Sequence, residues 1–336
     1  MISIIMPVYN SGLHLRDMLD SILSQTFKDW EMVLVDDSST DNSLDICKEY
    51  ANKDERIKVI QQKNSGPGVA RNTGINNSKG DYIYFADSDD WMDKQMLETL
   101  YNVITKYQAD IVVSNYWEEY EDATRLINKV DKGINIYDST ESMKLIMSNR
   151  IASCLWSMLF KRNLITEPFP NKYLYEDYIA LGKWSFHIHK MVTIGKAFYH
   201  YRQHKNSLIH KRDEVKSKIT YLNAFMERWK YAQSTVYFNK EYDFFIKEYV
   251  NFLISNARDT ARTSVSFEEI KPILEKYAEL LSQQKDISRA NVSIKTLFRK
   301  YLLLHHKAVF TKLMKLTAHV SKGYQKNLRR DTVQNS

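Results

Sequence analysis

Tyr82-Ile83-Tyr84-Phe85-Ala86-Asp87-Ser88-Asp89-Asp90 is the stretch on which the reading of this chain turns. An apolar run suited to a strand passes directly into a cluster of carboxylates. Such a strand places its acids at the carboxyl edge of a sheet, where open α/β folds bind ligands. Asp87 and Asp89 are two apart, so an extended backbone points both the same way. Hard oxygen donors beside room for phosphate suit Mg²⁺ or Mn²⁺. The plainer alternative is an acidic turn that caps the next helix. Taken alone, the cluster leaves the two readings level.

Working outward, the pattern alternates between strand and helix. Ile2–Met6 reads as a buried strand. Asn10 or Ser11 offers a cap to a helix with Leu15, Met18, Leu19, Ile22 and Leu23 at helical spacing. Trp30–Val35 is a second strand, Thr40 opens a helix, and Ile57–Ile60 is a third strand. A short helix follows Ser65-Gly66-Pro67-Gly68 and runs to about Ile75. Asp81–Ala86, a helix over Lys94–Tyr107 and a strand over Asp110–Asn115 complete the series. This order predicts a mainly parallel sheet with helices on both faces. Residues 116–140 read as a hairpin or loop, Ser139–Asn149 as a helix, and 191–203 as one or two strands. Helical patterns dominate from Asp213, and Pro272 breaks or starts one of them. The expected division is a first domain over 1–210, in halves 1–115 and 116–210, and a helical domain over 211–336.

With 336 residues the chain has room for about two domains. Its 43% hydrophobic and 26% charged content is that of an ordinary globular protein. No apolar run reaches the roughly 18 residues that span a bilayer. The start lacks the basic segment of a signal peptide. Two cysteines, Cys47 and Cys154, exclude a disulfide framework and a cysteine zinc site. These features read as cytoplasmic. The net charge of +7 is uneven: residues 1–120 hold 20 Asp/Glu against 11 Lys/Arg, whereas 285–330 hold 12 Lys/Arg and one acid, Asp286. A basic tail on an acidic half points to an anionic surface as partner. No nucleic-acid-binding signature accompanies it.

Two further loops belong at the edge that carries Asp87–Asp89. One is Pro7-Val8-Tyr9-Asn10; the other is Asp36-Asp37-Ser38-Ser39-Thr40-Asp41. A Tyr9 ring there can stack on a flat base, and a carboxylate can accept an imide N–H. The competing roles are a core-edge aromatic for Tyr9 and helix capping for Asp36 and Asp37. In Gly66-Pro67-Gly68-Val69-Ala70-Arg71 the dinucleotide fingerprint fails at Arg71. Arg71, one turn after Gly68, can reach a phosphate or form a surface ion pair.

Five motifs in order carry a resemblance. Pro7-Val8-Tyr9-Asn10, Ser24-Gln25-Thr26-Phe27, Val35–Asp41, Gly68-Val69-Ala70-Arg71-Asn72-Thr73-Gly74 and Asp87-Ser88-Asp89-Asp90 resemble glycosyltransferase family 2. The resemblance is strong over 1–115, moderate to about 210 and absent beyond. It implies a GT-A fold and an inverting, non-processive enzyme of bacterial polysaccharide type, since the Gln-x-x-Arg-Trp motif of processive synthases is missing. It implies a nucleotide-diphosphate donor, UDP-linked, and a glycan or lipid-linked glycan acceptor. Pro7, Tyr9, Asp36 and Asp37 are then assigned to the nucleotide, with Arg71 alongside. Asp87 and Ser88 face the ribose and donor sugar, and Asp89, with Asp87, holds Mn²⁺ or Mg²⁺. It also implies a second acidic site, which Tyr175-Glu176-Asp177-Tyr178 fits, with Asp177 as general base and Glu176 in reserve. Two acids at a helix N-terminus, favoured by the macrodipole, are the alternative. Tyr201-Arg202-Gln203-His204 resembles a stretch that closes over the diphosphate in relatives, making Arg202 and His204 candidates for phosphate or metal. A structural role stands level with that.

Two rival classes remain. A nucleotidyltransferase also uses an edge acidic pair and a metal, but wants a Gly-rich basic loop after the first strand. A binding module without sugar transfer is the other. In the tail, Leu297, Phe298, Tyr301, Leu302, Leu304, Val309, Leu313 and Leu316 interleave with Arg299, Lys300, Lys307, Lys312 and Lys315. Over 291–330 this reads either as an amphipathic segment on an anionic bilayer, peripheral on the inner face of the plasma membrane, or as a packed helix with a basic outer face.

Overall fold

A computed structural model describes residues 1–127, 130–171, 174–203, 214–283 and 293–315. Two compact units divide the chain: 1–211 with 224–231, and 212–223 with 232–336.

In the first unit the elements follow the alternating pattern. They are β1 (Ile2–Val8), α1 (Leu15–Leu23), β2 (Trp30–Asp36), α2 (Ser43–Lys53), β3 (Ile57–Gln61), α3 (Pro67–Asn76) and β4 (Tyr82–Phe85). Next come β5 (Trp91–Met92), α4 (Met96–Lys106), β6 (Ile111–Glu119), β7 (Thr124–Ile127), β8 (Ile134–Tyr137) and α5 (Ser139–Met147). β9 (Met158–Lys161), α6 (Glu176–Trp184) and β10 (Met191–Arg202) complete it. One sheet runs β3-β2-β1-β4-β9-β6-β10-β5, with β7 beside β6 and β8 beside β10.

Strand periodicity puts successive residues on opposite faces. Ile4, Met6 and Val8 of β1 join a core with α1, α2 and α4, while Ile5 joins another with α3, α5 and α6. The expected parallel sheet is found over β3-β2-β1-β4 and between β6 and β10. β9 departs from it: this strand lies antiparallel between β4 and β6. No crossover helix links β9 directly to either neighbour, and apolar periodicity carries no information about strand direction.

Register sets the functional edge. Val8 pairs with Asp36, and Ile5 with Phe85, so the three loops that follow β1, β2 and β4 leave on one side.

In the second unit, α9 (Tyr242–Ala261) and α10 (Phe267–Gln283) bury facing stripes, Tyr249, Val250 and Leu253 on one and Ile273, Leu274 and Tyr277 on the other. Pro272 lies inside α10 instead of starting it. It sits close enough to the N-terminus that the one backbone bond it removes is to Glu268 in the first turn. α7 (Glu214–Gln233) precedes α8 (Val236–Lys240), and α11 (Ile294–His305) comes last.

Candidate active site

The loops after β1 and β2 are knitted together. Asn10 stands in the left-handed region at φ 49° and accepts Thr40 N–H at 2.8 Å, while its own N–H donates to Ser39 Oγ at 3.1 Å. Pro7 is half-buried near the end of β1, and Tyr9 projects from the loop at 48% exposure, free to meet a flat ligand. Asp36 and Asp37 are buried. Asp37 accepts the N–H groups of Ser65 at 2.9 Å and Gly66 at 2.8 Å, and Gln62 Nε2 at 2.8 Å. Three of its roughly four acceptor positions thus hold the loop before α3. Gly66 has φ 87°, which explains the glycine. Beside this loop lies a cavity of about 410 Å³ lined by Asn64, Ser65, Val69 and Asn171.

The acidic turn after β4 divides its carboxylates among different tasks. The strand ends at Phe85, and Ser88 and Asp89 form a turn, so the extended geometry expected to align Asp87 with Asp89 does not apply. Asp90 is wholly buried and accepts Tyr199 O–H at 2.7 Å and Arg202 N–H at 2.8 Å. Burial pushes its carboxyl far up, and Asp89 and Asp87 add to the push. It anchors the turn. Ser88 Oγ lies 2.6 Å from Ser11 Oγ. Asp87 accepts Arg71 Nη2 at 3.0 Å; burial raises its pKa against the pull of Arg71, and Asp89 raises it further.

Among the described residues no three His, Cys, Asp or Glu side chains gather as a ready-made metal cage. Asp87 and Asp89, both partly exposed carboxylates in one turn, nevertheless fit a hard divalent cation, because Mg²⁺ characteristically takes one or two carboxylates and completes its shell with phosphate and water.

Arg71 reaches from α3 to both acidic sites. Its Nη1 donates to Glu176 Oε1 at 2.6 Å, and its plane lies 5.6 Å from the Phe169 ring. Burial disfavours its charge, but Asp87, Glu176 and Asp177 keep it protonated. The ion pair offered as the alternative for Arg71 is present but buried, and it joins two carboxylates instead of one. Gly68 gives Glu176 room: a Cβ there would come within 3.0 Å of Glu176 Cγ.

Glu176 and Asp177 open α6. The residue before them, Tyr175, is left-handed at φ 73° and supplies no side-chain cap. Asp177 accepts the Tyr178 N–H at 2.7 Å. Burial, then Glu176, pushes the Asp177 carboxyl up to about 7. The two acids therefore differ in kind. Glu176 is ion-paired with Arg71, whereas burial beside Glu176 disfavours the charged form of Asp177.

Arg202 also has partners of its own. Nε donates to the Asp89 carbonyl at 2.9 Å, Nη2 to Asp17 at 2.6 Å, and the guanidinium lies 4.6 Å from the Trp91 ring. It secures the acidic turn. His204 lies outside the described residues. Sequence reading missed Tyr199, which reaches the turn through β10; no spacing signal joins it to Asp90, 109 residues away. It also missed Arg228, where a signal existed: Ala224, Arg228 and Ala232 repeat every four residues along a buried stripe of α7.

Residues 3–166 match the Glycosyl transferase family 2 profile. TuaG of Bacillus subtilis, named for teichuronic acid biosynthesis, is 30% identical over 239 residues, 70% of this chain and 92% of that protein. The chain belongs to glycosyltransferase family 2. Glycosyltransferase GlyA of Streptococcus pneumoniae is 39% identical over 217 residues; the match takes in 62% of this chain but spans only 31% of GlyA. Among solved structures, S. aureus TarS 1-349 in complex with UDP superposes with a TM-score of 0.72 at 21% identity, covering 97% of this chain and 91% of that one. That likeness is one of fold, and it establishes the family's GT-A architecture here.

Proposed function

We propose that this glycosyltransferase moves a single sugar from a UDP-linked donor to a hydroxyl of a glycan or lipid-linked glycan, with inversion, in cell-surface polysaccharide synthesis. The observation that carries the reading is the bridge Asp87–Arg71–Glu176, which brings the sheet-edge acidic turn and the α6 carboxylates into one site. The UDP bound to TarS and the teichuronic acid name of TuaG support the donor and the pathway class.

In this reading Tyr9 stacks on the base, and Asp37 shapes the loop beside it with one acceptor position left for the imide N–H. Pro7 and Asp36 support these loops, and Asp87 and Ser88 line the ribose and donor sugar. Asp89 and Asp87 would hold Mn²⁺ or Mg²⁺, which would supply positive charge against the departing diphosphate. Asp177 accepts the proton of the acceptor hydroxyl as that oxygen attacks the anomeric carbon. The bond from that carbon to the diphosphate oxygen breaks in the same displacement, so no protein nucleophile is needed. Catalysis is assigned to residues 1–210.

Membrane contact is a further part of the proposal. α11 buries Leu302 and Leu303 yet leaves Leu297, Phe298 and Tyr301 exposed, with Val309 exposed beyond its end. Lys295 and Lys312 are exposed, whereas Arg299 and Lys300 are half-buried, with burial lowering the pKa of both. The helix is thus partly packed and partly available to an anionic bilayer. Leu316 and the residues after it lie outside the described residues. Release of UDP from a panel of UDP- and GDP-sugars, with and without glycan acceptors, tests the function; nucleotide binding without release would favour a binding module.

A further inference from the structure

Arg228 is 1% exposed, and among the described residues it forms no ion pair. It comes from the part of α7 that belongs to the first unit. Its Nη2 donates to the Ile146 carbonyl at 2.9 Å, while Nε and Nη1 find no acceptor. Ile146 lies in the last turn of α5, where the helix dipole favours a cation. The guanidinium lies 3.9 Å from the centre of the Tyr178 ring. Gly182, one turn further along α6, makes the space: a Cβ there would overlap Arg228 Nε.

Burying a cation with two unpartnered nitrogens is unfavourable, and an apolar side chain of similar length would fill the same space without that cost. Packing alone therefore does not account for an arginine. What the arginine adds is a directional hold on Tyr178, a desolvated cation over a ring face. Tyr178 is the neighbour of Asp177 and donates its N–H to the Asp177 carboxylate at 2.7 Å. This turn lacks a side-chain cap and begins after a left-handed residue, so its own backbone fixes it poorly. It is held instead from two directions, by Arg71 on Glu176 and by Arg228 on Tyr178, with Asp177 between them.

We propose that Arg228 is a positioning residue for the reaction: stacked on Tyr178 in the space left by Gly182, it fixes the first turn of α6 so that Asp177 is held in its working place. The inference rests on the reading of Asp177 as the base. It assigns a role in catalysis to a side chain 51 positions beyond that base, outside the match to the family profile.

The test uses the full chain and Arg228→Met, which keeps length and removes the cation. Three quantities are measured: melting temperature, amide hydrogen exchange over residues 176–180, and UDP release from whichever of UDP-glucose, UDP-galactose and UDP-N-acetylglucosamine the wild type turns over fastest. The expected result is an unchanged or higher melting temperature, faster exchange confined to the first turn of α6, and turnover down about 10²-fold at unchanged donor KM, as for a misplaced catalytic group. Unchanged exchange in that turn, or faster exchange with wild-type turnover, overturns the proposal. Should Arg228→Met fail to fold, Gly182→Ala decides: it improves helix propensity but displaces the guanidinium, so it should lower turnover in a folded protein, and wild-type turnover overturns the proposal. Asp177→Asn run alongside separates the two failures. If that variant keeps full turnover, the base assignment is wrong, and exchange in α6 still judges the hold of Arg228 on its own.

Discussion

Arg71 and Glu176 form a buried ion pair at 2.6 Å across 105 residues of sequence, and the same guanidinium holds Asp87 at 3.0 Å. A helix early in the chain is thereby joined to the helix that carries Asp177. Neutralising Glu176 takes away one of the two carboxylates that hold this buried cation and leaves it Asp87 alone. Glu176→Gln should therefore destabilise the first unit by about 1–3 kcal/mol, read as a lower denaturation midpoint. Wild-type stability would show that the pair is not a structural link.

The acidic turn makes a second prediction. Asp89→Asn keeps shape and removes a charge. UDP release should fall about 10²–10³-fold, and EDTA should abolish it in the wild type. Isothermal titration should also show weaker Mn²⁺ binding in the presence of UDP. Full activity in EDTA would remove the metal from the account.

How much of this was legible beforehand follows from the kind of signal each feature gives. β1, β2, β4 and the helices between them are periodic and local, so burial pattern locates them. The acids Asp87, Asp89, Glu176 and Asp177 stand out as charge placed at element ends. The division of labour among them was not legible. That Asp90 is tied to Tyr199, Asp37 to Ser65 and Gly66, and Arg71 to Glu176 depends on strand order and register, which no residue spacing encodes. β5, of two residues, is too short for periodicity to show.

The pH dependence follows from the raised Asp177 carboxyl. A general base must be ionised, so turnover is lost as protons return. With the carboxyl up at about 7, turnover should be flat in mild alkali and fall as pH drops through about 7. An acid limb centred near the ordinary aspartate value of about 4 would contradict the environment described for Asp177.

The α11 proposal predicts co-sedimentation with phosphatidylglycerol vesicles and not with phosphatidylcholine vesicles, released at high salt. Phe298→Ser with Tyr301→Ser should weaken it while UDP affinity stays unchanged. Equal binding to both vesicles, or to neither, would leave α11 as a packed helix only.

The most direct measurement compares Asp177→Asn with the wild type for UDP release and UDP affinity under identical conditions. The account predicts turnover lower by about 10²–10⁴-fold with UDP affinity nearly unchanged. Wild-type turnover in Asp177→Asn would place the base elsewhere and contradict the account.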